Sequence, residues 1–469
     1  MQILVSHRWT LDLGGIKGAF MEAGPLDPRY RPLFAHVPSG GIPGVPPDAV
    51  LEVTGNVYGQ NDAPAAWYRT FDHEACSAGW TRFRFDPCLY TLRTSGPEST
   101  LVGVMGVHVD DIAVGGMGPL YQQSIEQLRR RFPFRKWRTG AGEFCGAFYN
   151  QDPTTKEISM SQSSFAEGLK PAYVPKGVKA EKPLDSAQIR VFRGINGSLN
   201  WIANQSRPDL AVQTSLSQQC FPNPTIGHLK EANNAIRRAK QHKDVTVKFN
   251  YIQPSKLTSC CHSDAAFANV GSHTQAGYIL AFVDHDIHEG LPSPWNPAVW
   301  RSYRLPRAVS STLSGEAQAM STASGTVEWL TLLLLEVLHG PYEIRDARDM
   351  LKKRPPIYAT DCKSLYDHLI SPSAPTSIDD RRTSIDVVKI RESLFTTCGT
   401  VRWLPTNRML ADGLTKNKMD PVDLLRSCLR HGQYQISPEE LVLQQQAEER
   451  ERRKQHIASA STAQPSPEK

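Results

Sequence analysis

From residue 247 onward, short apolar runs that read as strands alternate with segments of helical period. The order is strands, one long helix over about 312–338, a strand ending at Asp361, a helix, a strand over 400–404 and a last helix. Alternation of this kind builds a sheet with helices on its faces, a three-layer α/β domain. It also fixes where four acidic side chains stand. Asp264 follows a strand expected over Lys256–Ser263. Glu316 lies in the first turns of the long helix, behind Ser310, Ser311 and Thr312 as capping candidates. Asp361 ends a strand over Pro356–Thr360, and Asp412 opens a late helix. Each acid taken singly is explained as well by a helix cap or a solvated charge. Together, at strand ends and helix starts, they are placed to converge on one edge of a sheet. Hydrolysis of a phosphodiester needs such convergence, because two divalent ions roughly 3.5–4 Å apart must share carboxylates. Mg²⁺ uses few protein carboxylates, so four acids suffice.

A chain of 469 residues is too long for one hydrophobic core. Residues 10–24 read as a strand running into a helix, and 25–50, rich in Pro and Gly, as loop. A helix is predicted at about 62–78, with Pro64 near its start and Gly79 after its end. Residues 88–93 and 100–107 alternate as strands joined by a turn at Thr94–Ser99. His108-Val109-Asp110-Asp111 then leads into a strand at Ile112–Val114, followed by a helix at about 119–131 and a small β meander over 140–163. Residues 187–242 read as helices, with Leu229, Ala232, Ile236 and Ala239 on one face and Asn233, Arg237 and Lys240 on another. The tail beyond about 437 is expected to be a charged helix followed by disorder.

The net charge of +6 permits a nucleic-acid partner without demanding one. No apolar run reaches the roughly 18 residues of a membrane span, and the start, Met1 to Arg8, lacks a signal-peptide layout. The nine cysteines contain no Cys-x-x-Cys pair, which argues against a disulfide framework and a zinc knuckle. Cys260-Cys261-His262 looks metal-like, but neighbours on a strand point to opposite faces and do not share an ion. Two basic runs, Arg129 to Arg138 and Arg237, Arg238 and Lys240, are solvated faces or phosphate contacts.

In its order, the acidic set resembles the Asp–Glu–Asp–Asp set of the ribonuclease H fold. The surrounding words resemble the copia-type version: His262-Ser263-Asp264-Ala265-Ala266-Phe267, Thr274-Gln275-Ala276-Gly277-Tyr278, Gly315-Glu316-Ala317, Thr360-Asp361-Cys362-Lys363-Ser364 and Ala411-Asp412-Gly413-Leu414-Thr415-Lys416. One word departs: Ser384 stands before Ile385-Asp386 where the family often has His. The first half resembles the reverse transcriptase of the same elements. His108-Val109-Asp110-Asp111 is similar to the Tyr-x-Asp-Asp turn, with His in place of the aromatic, and Val57 to Tyr68 and Asp86-Pro87-Cys88-Leu89-Tyr90 match further words. Gly197 to Trp201 and Ser206-Arg207-Pro208-Asp209-Leu210 match the stretch joining polymerase to nuclease. The chain is thus similar, over about residues 10–425, to part of a copia-type retrotransposon Pol polyprotein.

The resemblance implies an α+β and α/β organisation. Residues 1–150 would be a partial polymerase palm, 151–245 a helical thumb or connection, 246–425 a ribonuclease H-like domain and 426–469 the charged tail. It implies Mg²⁺ or Mn²⁺ on Asp264, Glu316, Asp361 and Asp412, and on Asp110 and Asp111 of the palm. The expected partners are an RNA–DNA hybrid, an RNA template with a DNA primer and, for an active polymerase, deoxynucleotide triphosphates. The expected setting is a cytoplasmic virus-like particle or the nucleus. Two departures weigh against polymerisation. The fingers, which belong before residue 10, are expected to be missing. The palm's first metal-binding Asp should stand where the chain has Gly15, and Asp12, an odd three residues away, faces the other side of a strand unless Gly14-Gly15 forms a bulge. The alternative function is an inactive transposon remnant that folds and at most binds nucleic acid. No aspartic-protease word or zinc-binding pair supports a protease or an integrase.

Overall fold

The computed structural model describes residues 1–25, 29, 32–96, 99–270, 273–373, 378–437 and 444. The expected tail helix and disorder beyond 437 therefore fall outside the described residues, apart from 444. The chain forms two compact units: His7–Lys156 with Glu336–Tyr342, and Met1–Ser6 with Glu157–Leu335 and the chain from Glu343 on. A short helix, α1 (Gln2–Ser6), belongs to the second of these.

The first unit opens with β1 (Asp12–Ile16) and a turn of 3-10 helix at Ala19–Glu22. Residues 25–50, read above as loop, contain β2 (Phe34–His36), which pairs with β3 (Val50–Glu52). Both strands are largely exposed, so no buried alternation marked them. Then come α2 (Ala63–Ser77), β4 (Trp80–Arg82), β5 (Leu89–Arg93), β6 (Leu101–His108), β7 (Asp111–Gly116), α3 (Pro119–Arg131), β8 (Phe134–Thr139), β9 (Ala141–Phe144) and β10 (Ala147–Gln151). Six strands make one antiparallel sheet in the order β4-β5-β6-β7-β1-β8. In β6 every second side chain is buried from Leu101 to Met105, the period of a sheet with one covered face. The cover is α2 and α3. Tyr121, Ser124, Ile125 and Leu128 recur at helical spacing on α3 and meet Trp67 and Phe71 of α2 in a shared aromatic core with Phe132.

In the second unit, β11 (Ile158–Ser161) and α4 (Ser163–Gly168) precede three helices, α5 (Ser186–Gln205), α6 (Ala211–Gln218) and α7 (Ile226–Gln241). The α7 face read from the sequence is the one that is buried, packed against Phe192 and Leu199 of α5. The strand β12 (Val247–Phe249) pairs with β11. Then follow β13 (Leu257–Val270), β14 (His273–Asp284), β15 (Ser293–Arg304), α8 (Thr312–His339), α9 (Ala347–Leu351), β16 (Ile357–Thr360), α10 (Lys363–Ile370), α11 (Arg381–Thr397), β17 (Thr400–Trp403), α12 (Asp412–Thr415), α13 (Met419–His431) and β18 (Gln433–Tyr434). The sheet order is β17-β16-β13-β14-β15-β18, with β13, β14 and β15 antiparallel and β16 and β17 parallel to β13. The sheet is therefore mixed and three-layered, as the alternation predicted. Cys261, Tyr278 and Leu280 meet α8, α10 and α11 on one face. Cys260, Ile279 and Trp295 meet α12 and α13 on the other. Cys260 and Cys261 thus part as a strand requires, and no shared cysteine ligand set forms there among the described residues. His262 is fully buried beside Tyr434, which pushes its pKa down to about 3.

The word Ser206 to Leu210 has a structural explanation. The Asp209 side chain is completely buried and accepts two hydrogen bonds from Arg207, each at 2.8 Å, and a third from Arg426 of α13 at 3.0 Å. Burial raises the Asp209 pKa, but the two guanidiniums, Arg207 first, outweigh it and hold the carboxyl below its usual range. Arg207 also donates to the Ala239 carbonyl at 3.1 Å. One buried carboxylate therefore ties the helical region to α13.

Candidate active site

Asp264 does not end its strand. It sits inside β13, a strand of 14 residues, and pairs with Gly277 of β14. Its parallel neighbour stops short, because β13 pairs with β16 only over Cys260–His262. Asp264 therefore stands where one side of the strand has lost its partner. Gly277 matters here: a Cβ at that position would come within 2.6 Å of the Leu414 Cβ. Only glycine lets α12 lie this close to the sheet. The contact sets Thr415, whose hydroxyl donates to Asp264 Oδ2.

Glu316 is held in the second turn of α8, whose start is capped by Ser311 Oγ accepting from the Ser314 N–H at 3.2 Å. The Ala265 N–H donates to Glu316 Oε1 at 3.3 Å, while Oε2 is buried without a partner. Asp361 follows the last residue of β16, and its carbonyl accepts from Trp403 Nε1 at 3.1 Å. Asp264, Glu316 and Asp361 each offer an oxygen, and these oxygens all lie within 4.8 Å of one another. Asp412 is close but not part of that trio. Its Oδ1 accepts from Lys416 Nζ at 2.8 Å, and the same ammonium lies 3.7 Å from Asp264 Oδ2. Lys416 and Thr415 were not singled out from the sequence; Lys416 stands four residues after Asp412, just past the end of α12 in extended backbone.

Crowding of acids under burial raises their pKa values. Glu316 is pushed well above the usual range by burial and then by Asp264. Asp361 is raised by burial and Asp264. Asp412 is raised to about 7 by burial and Asp264, against the pull of Lys416. A raised carboxyl contributes stability while it is protonated and loses it as pH climbs through the folded pKa. Without divalent ions, the second unit should therefore lose stability between about pH 4 and pH 7 through Asp412. Mg²⁺ should raise its melting temperature more at pH 8 than at pH 5. Thermal melts at the two pH values, with and without Mg²⁺, check this, and an equal rise at both would contradict it.

A cleft of about 650 Å³ opens over Asp264, Glu316 and Asp361, lined also by Phe267, Thr312, Thr406, Asn417 and Lys418. Of the basic residues read from α7, Arg238 reaches this rim, donating to Asn417 at 2.9 Å. Arg237 is exposed beside Asn234, and Lys240 is half-buried.

In the first unit, Val109 adopts φ 57° and turns the chain between β6 and β7, with His108 paired to Asp111. Trp67 Nε1 holds the turn by donating to the Val109 carbonyl at 2.6 Å. Gly15 lies directly opposite Asp111, and a Cβ there would be 3.5 Å from Asp111 Oδ1. The position that would face the hairpin carboxylate thus carries no side chain. Asp12 does not replace it. The β1–β7 pairing runs without a break from Asp12 to Gly15, the only register shift of β1 being towards β8, after Gly15. The Asp12 carboxylate accepts from Thr139 Oγ1 at 2.6 Å, on the side of Tyr121. Asp111 is raised by burial and then by Asp110. It shares a pocket of about 280 Å³ with Arg135, Lys136, Arg138 and Glu143. Arg131 is paired with Glu74 at 2.8 Å, and Arg129 lies over Trp137 at 4.9 Å.

No protein-family model matches the chain. Its sequence is 24% identical over 311 residues to the putative transposon Ty5-1 protein of Saccharomyces cerevisiae, covering 63% of this chain and 95% of that one. It is 24% identical over 438 residues to the retrovirus-related Pol polyprotein from transposon RE1 of Arabidopsis thaliana. The chain is a homologue of Ty/copia-type retrotransposon Pol polyproteins. The second match covers 88% of this chain but only 27% of the Arabidopsis polyprotein. Among solved structures, the N-terminal ribonuclease H domain of a Mycobacterium tuberculosis protein superposes with a TM-score of 0.23 and 14% identity, covering 36% of this chain and 96% of that one. The foamy viral protease–reverse transcriptase in complex with double-stranded DNA superposes with a TM-score of 0.20 and 10% identity, over 85% of this chain and 59% of that one.

Proposed function

We propose that the second unit is a metal-dependent ribonuclease H that cuts RNA in RNA–DNA hybrids, and that the palm-like first unit does not polymerise. The observation that carries the nuclease reading is the trio of Asp264, Glu316 and Asp361, with oxygens within 4.8 Å of one another. An all-oxygen set suits a hard cation such as Mg²⁺ or Mn²⁺. The unpartnered, buried Glu316 Oε2 fits the same conclusion, since an orphaned carboxylate oxygen is costly unless a cation meets it. Two bound ions would activate the attacking water and stabilise the leaving oxygen. The chain's own part is positional: Thr415 orients Asp264, the Ala265 N–H orients Glu316, and Lys416 holds Asp412. Incubating the whole chain with a labelled RNA–DNA hybrid and Mg²⁺ tests the reading, and an intact RNA strand would refute it.

Arg237, Arg238 and Lys240 are proposed to bind phosphates. Arg237→Ala should weaken hybrid binding and flatten its dependence on salt by about one unit of log–log slope. Titrations at several salt concentrations measure this, and an unchanged slope would remove Arg237 from the interface.

For the first unit, Gly15 supports a non-catalytic reading. Asp110 and Asp111 have no carboxylate at position 15 to complete a two-metal set, and Asp12 faces away. No primer extension on an RNA template with deoxynucleotide triphosphates is expected, and extension by the unmodified chain would overturn this.

A further inference from the structure

Phe267 has no role in the metal site, yet it lines the same cleft as Asp264, Glu316 and Asp361. The Phe267 side chain is 45% exposed. The strand explains its direction. Odd-numbered residues of β13 face α8: Cys261 packs with Ala317 and Met320, and the Ala265 Cβ approaches Gly315. Two residues further along the pleat, Phe267 continues that face. The helix starts at Thr312, another lining residue of the cleft, so the ring meets open cleft where Ala265 meets helix. The backbone is held in place behind it. The regular pairing of β13 with β14 breaks after Ala266, and Ala268 takes φ 48° with its N–H donating to Thr274 Oγ1 at 3.1 Å. A non-glycine residue in that region carries strain, which the surrounding contacts must hold. The cleft is also lined by Lys418 and by Asn417, which accepts from Arg238.

We propose that Phe267 is a specificity-determining residue that packs into the minor groove of a duplex bound over the metal-binding carboxylates. The inference rests on the nuclease reading above. An A-like helix has a wide, shallow minor groove, whereas that of B-form DNA is only about 6 Å wide. A rigid ring standing on the rim reaches the sugars and base edges of the first and is excluded from the second. Phe267 then favours hybrid over DNA duplex through shape, while Lys418 and Arg238 contact the phosphates of either.

The test uses the full chain carrying Asp361→Asn, which removes cleavage, and measures binding of an RNA–DNA hybrid and of a DNA duplex of the same sequence by fluorescence anisotropy. Adding Phe267→Ala should weaken hybrid binding by about tenfold, in the range found for removing an aromatic contact to nucleic acid, and leave DNA-duplex binding nearly unchanged. Phe267→Trp should retain the preference. Because the ring is exposed, the melting temperature should not move, which separates this role from a structural one. Equal hybrid affinity with and without Phe267, or an equal loss for both duplexes, overturns the proposal. Failure of the wild-type chain to cut any hybrid would instead overturn the nuclease reading.

Discussion

Asp361→Asn should abolish cleavage of RNA in an RNA–DNA hybrid. Loss of a group that merely supports a metal ligand costs about 10- to 100-fold in affinity or activity. Loss of a direct ligand should therefore exceed about 100-fold. The substitution is nearly isosteric, and the main-chain anchor from Trp403 Nε1 to the Asp361 carbonyl does not involve the side chain. The fold should consequently survive. It should even gain slightly in the absence of metal, because one of the acids that burial and Asp264 push up in pKa is removed. The paired measurements are the single-turnover cleavage rate in Mg²⁺ and the melting temperature without it. Cleavage at the wild-type rate would remove Asp361 from the metal site. Loss of cleavage together with a large fall in melting temperature would mean that the side chain acts on the fold instead.

Asp209→Asn should be the most destabilising single change away from the site. It leaves Arg207 and Arg426 buried, with side-chain exposures of 3% and 2%, without their shared anion. Breaking a buried pair in this way costs about 3–5 kcal/mol, a large part of the stability of an ordinary domain. Arg426→Met should cost less, because Asp209 keeps both bonds from Arg207. The carboxyl is depressed in the folded state, so its contribution is present above the unfolded carboxylate range, near pH 4, and is lost as pH falls through the lower folded value. Urea unfolding of the second unit at neutral pH, followed by a fluorescence probe within it, gives the comparison. A midpoint for Asp209→Asn equal to that of the wild type would show that the buried network contributes nothing.

What the sequence determined by itself was local. The helix expected at about 119–131 is present as Pro119–Arg131, with Tyr121, Ser124, Ile125 and Leu128 buried at helical spacing. The buried face of α7 was readable for the same reason. Parity along β1 was enough to turn Asp12 away from Asp111, since alternate residues on an unbroken strand face opposite ways. The places of the four acids at strand ends and helix starts, with the resemblance of the words around them to the copia-type ribonuclease H, marked them as a candidate set.

Tertiary structure decided how the pieces meet. Asp264 was expected at a strand end, but β13 continues beyond it, because both faces of this central strand are covered and no alternation marks where it stops. It alone brought together the trio Asp264, Glu316 and Asp361 and gave Asp412 to Lys416. It also turned Ser206 to Leu210 from a recognisable word into a buried ion pair with Arg426, 217 residues away from Asp209. The physical reason is common to these cases. Periodicity reports which way a side chain leaves its own helix or strand. The partner it meets depends on packing between elements far apart in the chain, as where Gly277 alone leaves room for α12 against the sheet.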